Sequence, residues 1–407
     1  MTKRWIRRLL VVVLLLVVAA GAFVGVQLHR QVPQPQLQIA PPRLAASPVA
    51  GVKLPWPDQG QAALSVQGVG ASSAGPQRPV PVGSVAKIMT AYLTLLDHPL
   101  KAGQSGPALR ITARQAADYA LRRSAGNESL LPVSEGEVLT ERQALDALLV
   151  PSANNIADVF ADWTMGGSAA FVQRMNDTAR RLGLTGTRYA DTSGYNAGTV
   201  STATDQVRLT ERALLDPVFV EIVGQRQVTL PLLGAVPNYN ALLGANGVFG
   251  VKTGSTRPAG GNIVFASRQR VGTRTVTLVG AVFGQRVGES SLTALGAAFD
   301  SARRLLVAAQ QSLRPVRLLE RGTSAGSVRA PWGPASPVVT GRAVEFLAAP
   351  GVRPTGVLQP GRTLATVAGQ TAATLTVSLG RQRADVPLVL VRPVPSAPLS
   401  WRLMRPF

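Results

Sequence analysis

The chain has 407 residues, with 42 Lys and Arg against 21 Asp and Glu, a net charge of +21, two histidines and no cysteine. The missing cysteines exclude thiol catalysis, disulfides and Cys-ligated metals, and with only His29 and His98 a Ser-His-Asp triad has almost nothing to draw on. The positive excess suits an anionic partner, yet arginine is dispersed, without a long basic block or aromatic interleaving, which argues against nucleic acid.

Lys3, Arg4, Arg7 and Arg8 precede an uninterrupted apolar run over residues 9–26. At ~1.5 Å per residue the run spans about 27 Å, close to the hydrocarbon core of a bilayer. Basic residues ahead of it place the N-terminus in the cytoplasm and export the rest. The expectation is a basic segment at 1–8 and a single-pass anchor at 9–28, with the catalytic part on the extracytoplasmic side. Ala20-Gly21-Ala22 offers a small-x-small site, so a cleaved signal is the alternative. Residues 29–57 carry Pro33, Pro35, Pro41, Pro42, Pro48, Pro55 and Pro57 and read as an extended linker.

The body, 58–313, alternates strands and helices. Residues 62–69 read as a strand and 78–82 as an extended lead-in to a helix that starts near Ser84, with Val85, Ile88, Met89, Tyr92, Leu93 and Leu96 at helical spacing. Thr140 and Gln143 form a T-x-x-Q capping box for a helix to Leu149; Pro151 interrupts, and helix resumes from Asn155 to Trp163. Ser168 is expected to cap a further helix that ends at Gly183. Residues 248–254, 262–267 and 273–283 read as consecutive antiparallel strands, followed by a helix over 292–313. Residues 314–407 lack helical periodicity and read as a small all-β module. The class is therefore α+β, a helical cluster with an antiparallel sheet, followed by an all-β domain.

Three short boxes carry the chemistry: Ser84-Val-Ala-Lys87, Ser152-Ala-Asn154 and Lys252-Thr253-Gly254. A serine at a helix start has its Oγ near unpaired backbone N–H groups, and Lys87 lies one turn along the same face. To act as a base that lysine must be neutral, a state favoured by burial and by a second cation such as Lys252. A strand bearing Lys252 and Thr253 can pair with an extended peptide and hold its terminal carboxylate, while Gly254 leaves the edge clear for the substrate's approach. No metal or organic cofactor is implied, because the carboxylates show no ligand-like clustering.

These boxes, in order, resemble the serine-type D-alanyl-D-alanine carboxypeptidases, low-molecular-mass penicillin-binding proteins of peptidase family S11. Flanking segments resemble the family too: Phe171-Val-Gln-Arg-Met-Asn, Ala179-Arg-Arg-Leu-Gly-Leu, Ser201-Thr-Ala-Thr-Asp and Asn238-Tyr-Asn-Ala-Leu-Leu. The resemblance implies a penicillin-binding-protein/β-lactamase-like domain that removes the terminal D-alanine from peptidoglycan stem peptides and is inhibited by β-lactam antibiotics. It casts Ser84 as the acylated nucleophile, Lys87 as its proton acceptor, Ser152 as the relay to the leaving group and Asn154 as the holder of the substrate amide. Lys252 and Thr253 would take the carboxylate, and the backbone N–H groups of Ser84 and Ser255 the oxyanion. The chain departs from the family at Gly83 (usually Ala), Ala86 (usually Thr), Asn155 (often Asp) and Phe249 (usually Asp), and keeps every catalytic functional group. A β-lactamase is the weaker alternative, since no E-x-x-L-N loop is present; a weakly catalytic, membrane-anchored wall-binding protein is the other.

Overall fold

The computed structural model describes residues 3–406 apart from 127, 287, 289 and 362. The chain begins with α1 (Lys3–His29), long and apolar enough to cross a membrane. Next comes β1 (Gln36–Ile39), inside the segment expected to be linker. That expectation is corrected here: Gln-Leu-Gln-Ile alternates with the period of a strand, and it pairs antiparallel with Ser324–Arg329, Gln36 opposite Arg329. The prolines on both sides suit an edge strand, which has no ladder to donate to on its open side.

The chain divides into two units: Pro48–Pro315 with Leu347–Val352, and Met1–Ser47 with Val316–Phe346 and Arg353–Phe407. The larger contains β2 (Gln61–Val66), β3 (Gly70–Ala74), α2 (Lys87–Asp97), α3 (Ala113–Ala125), α4 (Glu141–Leu149), α5 (Asn154–Met165), α6 (Ser168–Arg181), α7 (Ala203–Ala213), β4 (Val248–Thr256), β5 (Gly260–Val271), β6 (Arg274–Gln285) and α8 (Ser291–Ser312). Its antiparallel sheet has the order β4-β5-β6-β2-β3, so the first strand closes onto the last, with Ala62 opposite Val282.

Both sheet faces are covered, and β5 shows why. Ile263 and Phe265 point into a core with Ala298, Ala302, Leu305 and Leu306 of α8. Val264 and Ala266, one residue out of phase, enter the core of the helical cluster with Val85, Ile88, Met89 and Phe160. The Thr140–Gln143 box caps α4 reciprocally, at 3.2 and 2.9 Å. The same T-x-x-Q pattern at Thr112–Gln115 caps α3, which the sequence reading passed over. Ser168 does not cap α6: Gly167 holds that position, and the Ser168 hydroxyl donates to Asp158 at 3.1 Å instead.

The smaller unit is a six-stranded antiparallel sheet ordered β1-β7-β8-β11-β10-β9, from β7 (Ser324–Arg329), β8 (Ser336–Thr340), β9 (Pro354–Pro360), β10 (Thr371–Leu379) and β11 (Gln382–Leu390). A short helix, α9 (Leu399–Met404), grips the C-terminal end of α1. Arg405 donates to the carbonyls of Gln31 (2.9 Å), Gln27 (3.0 Å) and Arg30 (2.7 Å), and Gln27 donates back to the Arg405 carbonyl at 3.1 Å. Arginine thus satisfies one last-turn carbonyl, that of Gln27, and two carbonyls just past the helix end.

One buried acid carries a stability prediction. Glu141, the first residue of α4, is fully buried against Gly106, and among the described residues neither carboxylate oxygen has a hydrogen-bond partner. Burial raises it from its ordinary 4.5 to about 7. Below 4.5 both folded and unfolded chains carry the proton. Between 4.5 and about 7 the unfolded chain releases it while the folded chain retains it, so stability falls as pH rises and levels off above that window. Glu141→Leu is expected to flatten this slope and to gain up to about 3 kcal/mol at pH 8. Thermal melts at pH 5 and pH 8 check it; equal slopes for both proteins would overturn the assignment.

Candidate active site

Ser84 lies in a single 3₁₀ turn, Gly83–Ala86, that feeds directly into α2, so its half-buried hydroxyl stands at the start of the central helix. The turn is wedged between two backbones. Gly83 has φ +55°, and a Cβ on Gly194 would lie 1.9 Å from the Gly83 carbonyl oxygen. Alanine, usual in the family at position 83, would be strained there. Ala86 is fully buried, and its methyl lies 2.9 Å from the Cβ that Gly194 lacks.

Lys87 is fully buried and its Nζ meets three oxygens: Ser84 Oγ at 2.7 Å, Asn154 Oδ1 at 2.6 Å and the Ser193 carbonyl at 3.1 Å. Two of these can only accept, so they occupy two N–H bonds; the hydroxyl can donate. A neutral amine, with two N–H groups and one lone pair, matches that set, and its lone pair then faces the Ser84 proton. Burial holds the Lys87 amine well below the ordinary lysine value, and the Lys252 cation lowers it further, against Asp191, Asp158 and Glu128. The three-residue spacing and the apolar helix bring nucleophile and base together without histidine. His98 instead stacks on Trp163 with ring centroids 4.0 Å apart, and His29 sits in the last turn of α1.

Ser152 and Asn154 come from the break between α4 and α5. Pro151 ends the first helix, and Ser152 takes φ +67°, a strained conformation for a serine. Its hydroxyl is buried and, among the described residues, has no hydrogen-bond partner. Ser152 faces the same cleft as Ser84, of about 640 Å³, also lined by Thr253, Gly254 and Ser255. Asn154 presents its Oδ1 to Lys87 and donates from Nδ2 to Glu128 at 2.7 Å. Asn155 points away and pins the loop, exchanging hydrogen bonds with the backbone of Leu131 at 2.9 and 3.0 Å.

Lys252 and Thr253 lie on β4, both buried, with Lys252 opposite Val264 in the register. Lys252 Nζ donates to the Thr253 carbonyl at 3.2 Å, and burial lowers its pKa to about 7. Gly254 also packs closely against the Ser84 turn. A Cβ there would meet Val82 O at 2.5 Å and Ser84 N and Val85 N at 3.0 Å. The glycine therefore lets the strand touch the Ser84 turn, and it also lines the cleft. That contact also places Ser255 N 3.2 Å from the Cβ position of Gly83, so the Ser255 main chain abuts the turn that carries Ser84. The half-buried Phe249 ring lies under the Arg268 guanidinium at 4.2 Å.

The structure adds residues that sequence reasoning missed. Glu128, from the loop after α3, lines the cleft and is held by Arg122 at 3.1 and 2.5 Å. Tyr239, Leu292, Leu295 and Phe299 form an apolar stretch of its lining. Asp191 organises the loop that carries the Ser193 carbonyl, accepting from Ser193 Oγ (2.8 Å), Gly194 N (3.1 Å) and Tyr195 N (2.9 Å). The Asp-Thr-Ser-Gly run was a readable turn signal for that loop. Glu128 had none, because its partners lie at unrelated spacings.

Known proteins resemble this chain in sequence and in fold. A profile of the D-alanyl-D-alanine carboxypeptidase family, S11, matches residues 72–285. The D-alanyl-D-alanine carboxypeptidase DacD of Escherichia coli is 27% identical over 267 residues, 65% of each chain, so the match spans just under two thirds of that relative's length. The D-alanyl-D-alanine carboxypeptidase of Streptomyces sp. K15 is 30% identical over 212 residues, 48% of this chain and 69% of that one. Among solved structures, penicillin binding protein 5 of Haemophilus influenzae aligns over 88% of this chain and 100% of its own, with TM-score 0.59 and 20% identity, a likeness of fold. The Streptomyces K15 DD-transpeptidase aligns with TM-score 0.51 at 25% identity, over 66% of this chain and 98% of its own. The chain belongs to the S11 family of D-alanyl-D-alanine carboxypeptidases.

Proposed function

We propose that this protein is a serine D-Ala-D-Ala carboxypeptidase acting on peptidoglycan stem peptides and acylated by penicillins. The observation that carries the reading is the Lys87 amine, fully buried and 2.7 Å from Ser84 Oγ, with Asn154 Oδ1 and the Ser193 carbonyl as its other two partners. In this reading Ser84 Oγ attacks the carbonyl of the penultimate D-alanine and its proton passes to Lys87 Nζ. The N–H groups of Ser84 and Ser255 receive the oxyanion. The C–N bond then breaks, the departing amine takes a proton through Ser152 Oγ, and the peptide remains as an ester on Ser84. Asn154 holds the substrate amide, while Lys252 and Thr253 hold the terminal carboxylate. Water cleaves the ester and restores the serine. A β-lactam follows the same first step, but its leaving nitrogen stays tethered to the acyl group, so the adduct persists.

For topology, the reading is a single-pass anchor at 9–28 with the catalytic domain, 58–313, and the β-rich domain, 314–407, on the extracytoplasmic side. Lys3, Arg4, Arg7 and Arg8 support the orientation. The hydrogen bonds from Arg405 to residues 27, 30 and 31 support retention of the helix.

The test pairs a fluorescent penicillin, with the adduct located by peptide mass mapping, and an assay of D-alanine release from a D-Ala-D-Ala peptide. A stable adduct on Ser84 together with release is expected. An adduct elsewhere, or none, overturns the site; a Ser84 adduct without release overturns the carboxypeptidase and favours a wall-binding role.

A further inference from the structure

We propose that Glu128, clamped by Arg122, is a positioning residue for acylation: it fixes the Asn154 carboxamide so that its carbonyl, not its NH₂, faces Lys87. This deepens the reading of Ser84 and Lys87 as nucleophile and base and rests on it.

An asparagine amide can present either end to a neighbour, and its environment decides which. Asn154 stands between Lys87 and Glu128, at 2.6 and 2.7 Å. An ionised carboxylate can only accept, so it selects the NH₂ and leaves Oδ1 for the lysine. The opposite orientation would put an N–H against the Lys87 lone pair. That lone pair would then be engaged by Asn154 and closed to the Ser84 proton.

Arg122 holds the Glu128 carboxylate in place. Its Nε donates to Oε1 at 3.1 Å and its Nη2 to Oε2 at 2.5 Å, while Nη1 reaches Asp158 at 2.8 Å and Asp118 at 3.2 Å. The Glu128 side chain is only 10% exposed. Both of its oxygens are engaged, which suits an orienting group and not a base that activates water. Its charge also acts on Lys87: Glu128, with Asp191 and Asp158, favours the protonated amine, while burial and Lys252 oppose it.

The experiment measures acylation of the full-length chain by a fluorescent penicillin across pH, for the wild type, Glu128→Gln, Asn154→Ala and the double variant, with thermal midpoints for each. Glu128→Gln is expected to slow acylation about tenfold or more, the scale of a lost hydrogen bond to a charged group. It should also move the acid limb to lower pH by about half a unit or more, because a negative charge near Lys87 has gone. In the Asn154→Ala background the rate effect should largely vanish, since there is no amide left to orient. Glu128→Asp, which keeps the charge and withdraws it from Asn154, should lose rate with the limb unmoved; it serves where the glutamine variant does not fold. A lowered midpoint with unchanged rate and limb overturns the proposal in favour of a structural ion pair. Unchanged acylation with slowed loss of the adduct overturns it in favour of a deacylating base. A wild type that takes no label at all sinks the underlying reading before any variant is compared.

Discussion

Replacing Lys87 with methionine is expected to slow acylation of Ser84 by about 10³-fold or more, near the upper part of what a positioned general base contributes. Methionine keeps the length and most of the volume of the side chain but has no lone pair that can take the serine proton. The fold should persist. Lys87 is fully buried and its amine is pushed toward the neutral form, so the native state gives up little electrostatic stabilisation when it goes. Asn154 Oδ1 and the Ser193 carbonyl lose a donor, a penalty of about 1–3 kcal/mol each, partly relieved by the cleft beside them. The combination to look for is a thermal midpoint only a few degrees lower with penicillin labelling nearly abolished. Labelling within tenfold of the wild type would mean that another group takes the proton, and the base would have to be sought elsewhere. Arginine is not an equivalent control, because it stays charged and cannot accept.

How much of this was legible in the sequence depends on the range of the interactions. Local signals were readable. The Thr140–Gln143 box, the proline that separates α4 from α5 and the three-residue spacing of Ser84 and Lys87 are set by neighbours in the chain, and the structure places them as their chemistry requires. The apolar periodicity of α2 and the strand over 262–267 were readable too, whereas the burial of both faces of β5 emerges only in the structure. Signals that depend on tertiary proximity were not readable. Glu128 matters because a loop after α3 meets the first residue of α5 and a guanidinium on α3, and no spacing announces that meeting. The strand at Gln36–Ile39 was hidden because its prolines dominate the composition, although its four residues alternate as a strand should. Ser168 illustrates a different failure: Gly-Ser at a helix start leaves two candidates for the cap, and Asp158 took the hydroxyl.

Gly254→Ala is expected to lower acylation by about a hundredfold through geometry alone, since a displacement of roughly 1 Å among reacting groups has that effect. The added methyl would lie 2.5 Å from the Val82 carbonyl oxygen and 3.0 Å from the amide nitrogens of Ser84 and Val85. Those atoms are backbone and cannot rotate away. Neither side yields easily: β4 is tied to β5 through Lys252–Val264, Thr253–Ile263 and Gly254–Asn262, and the Ser84 turn is anchored by the fully buried Val82 and Val85. The strand and the turn must therefore part, which separates Ser255 from Ser84 and leaves both away from a shared oxyanion. Overpacking of this kind also destabilises by about 1–3 kcal/mol, so a lower midpoint should accompany the slower rate. A small β-lactam distinguishes this from a glycine that merely admits a peptide. If Gly254 only cleared a path for substrate, the variant would bind the D-Ala-D-Ala peptide more weakly and still take the small label at the wild-type rate. Loss of labelling with both small and large β-lactams is the result expected when the residue holds the two halves of the site in contact.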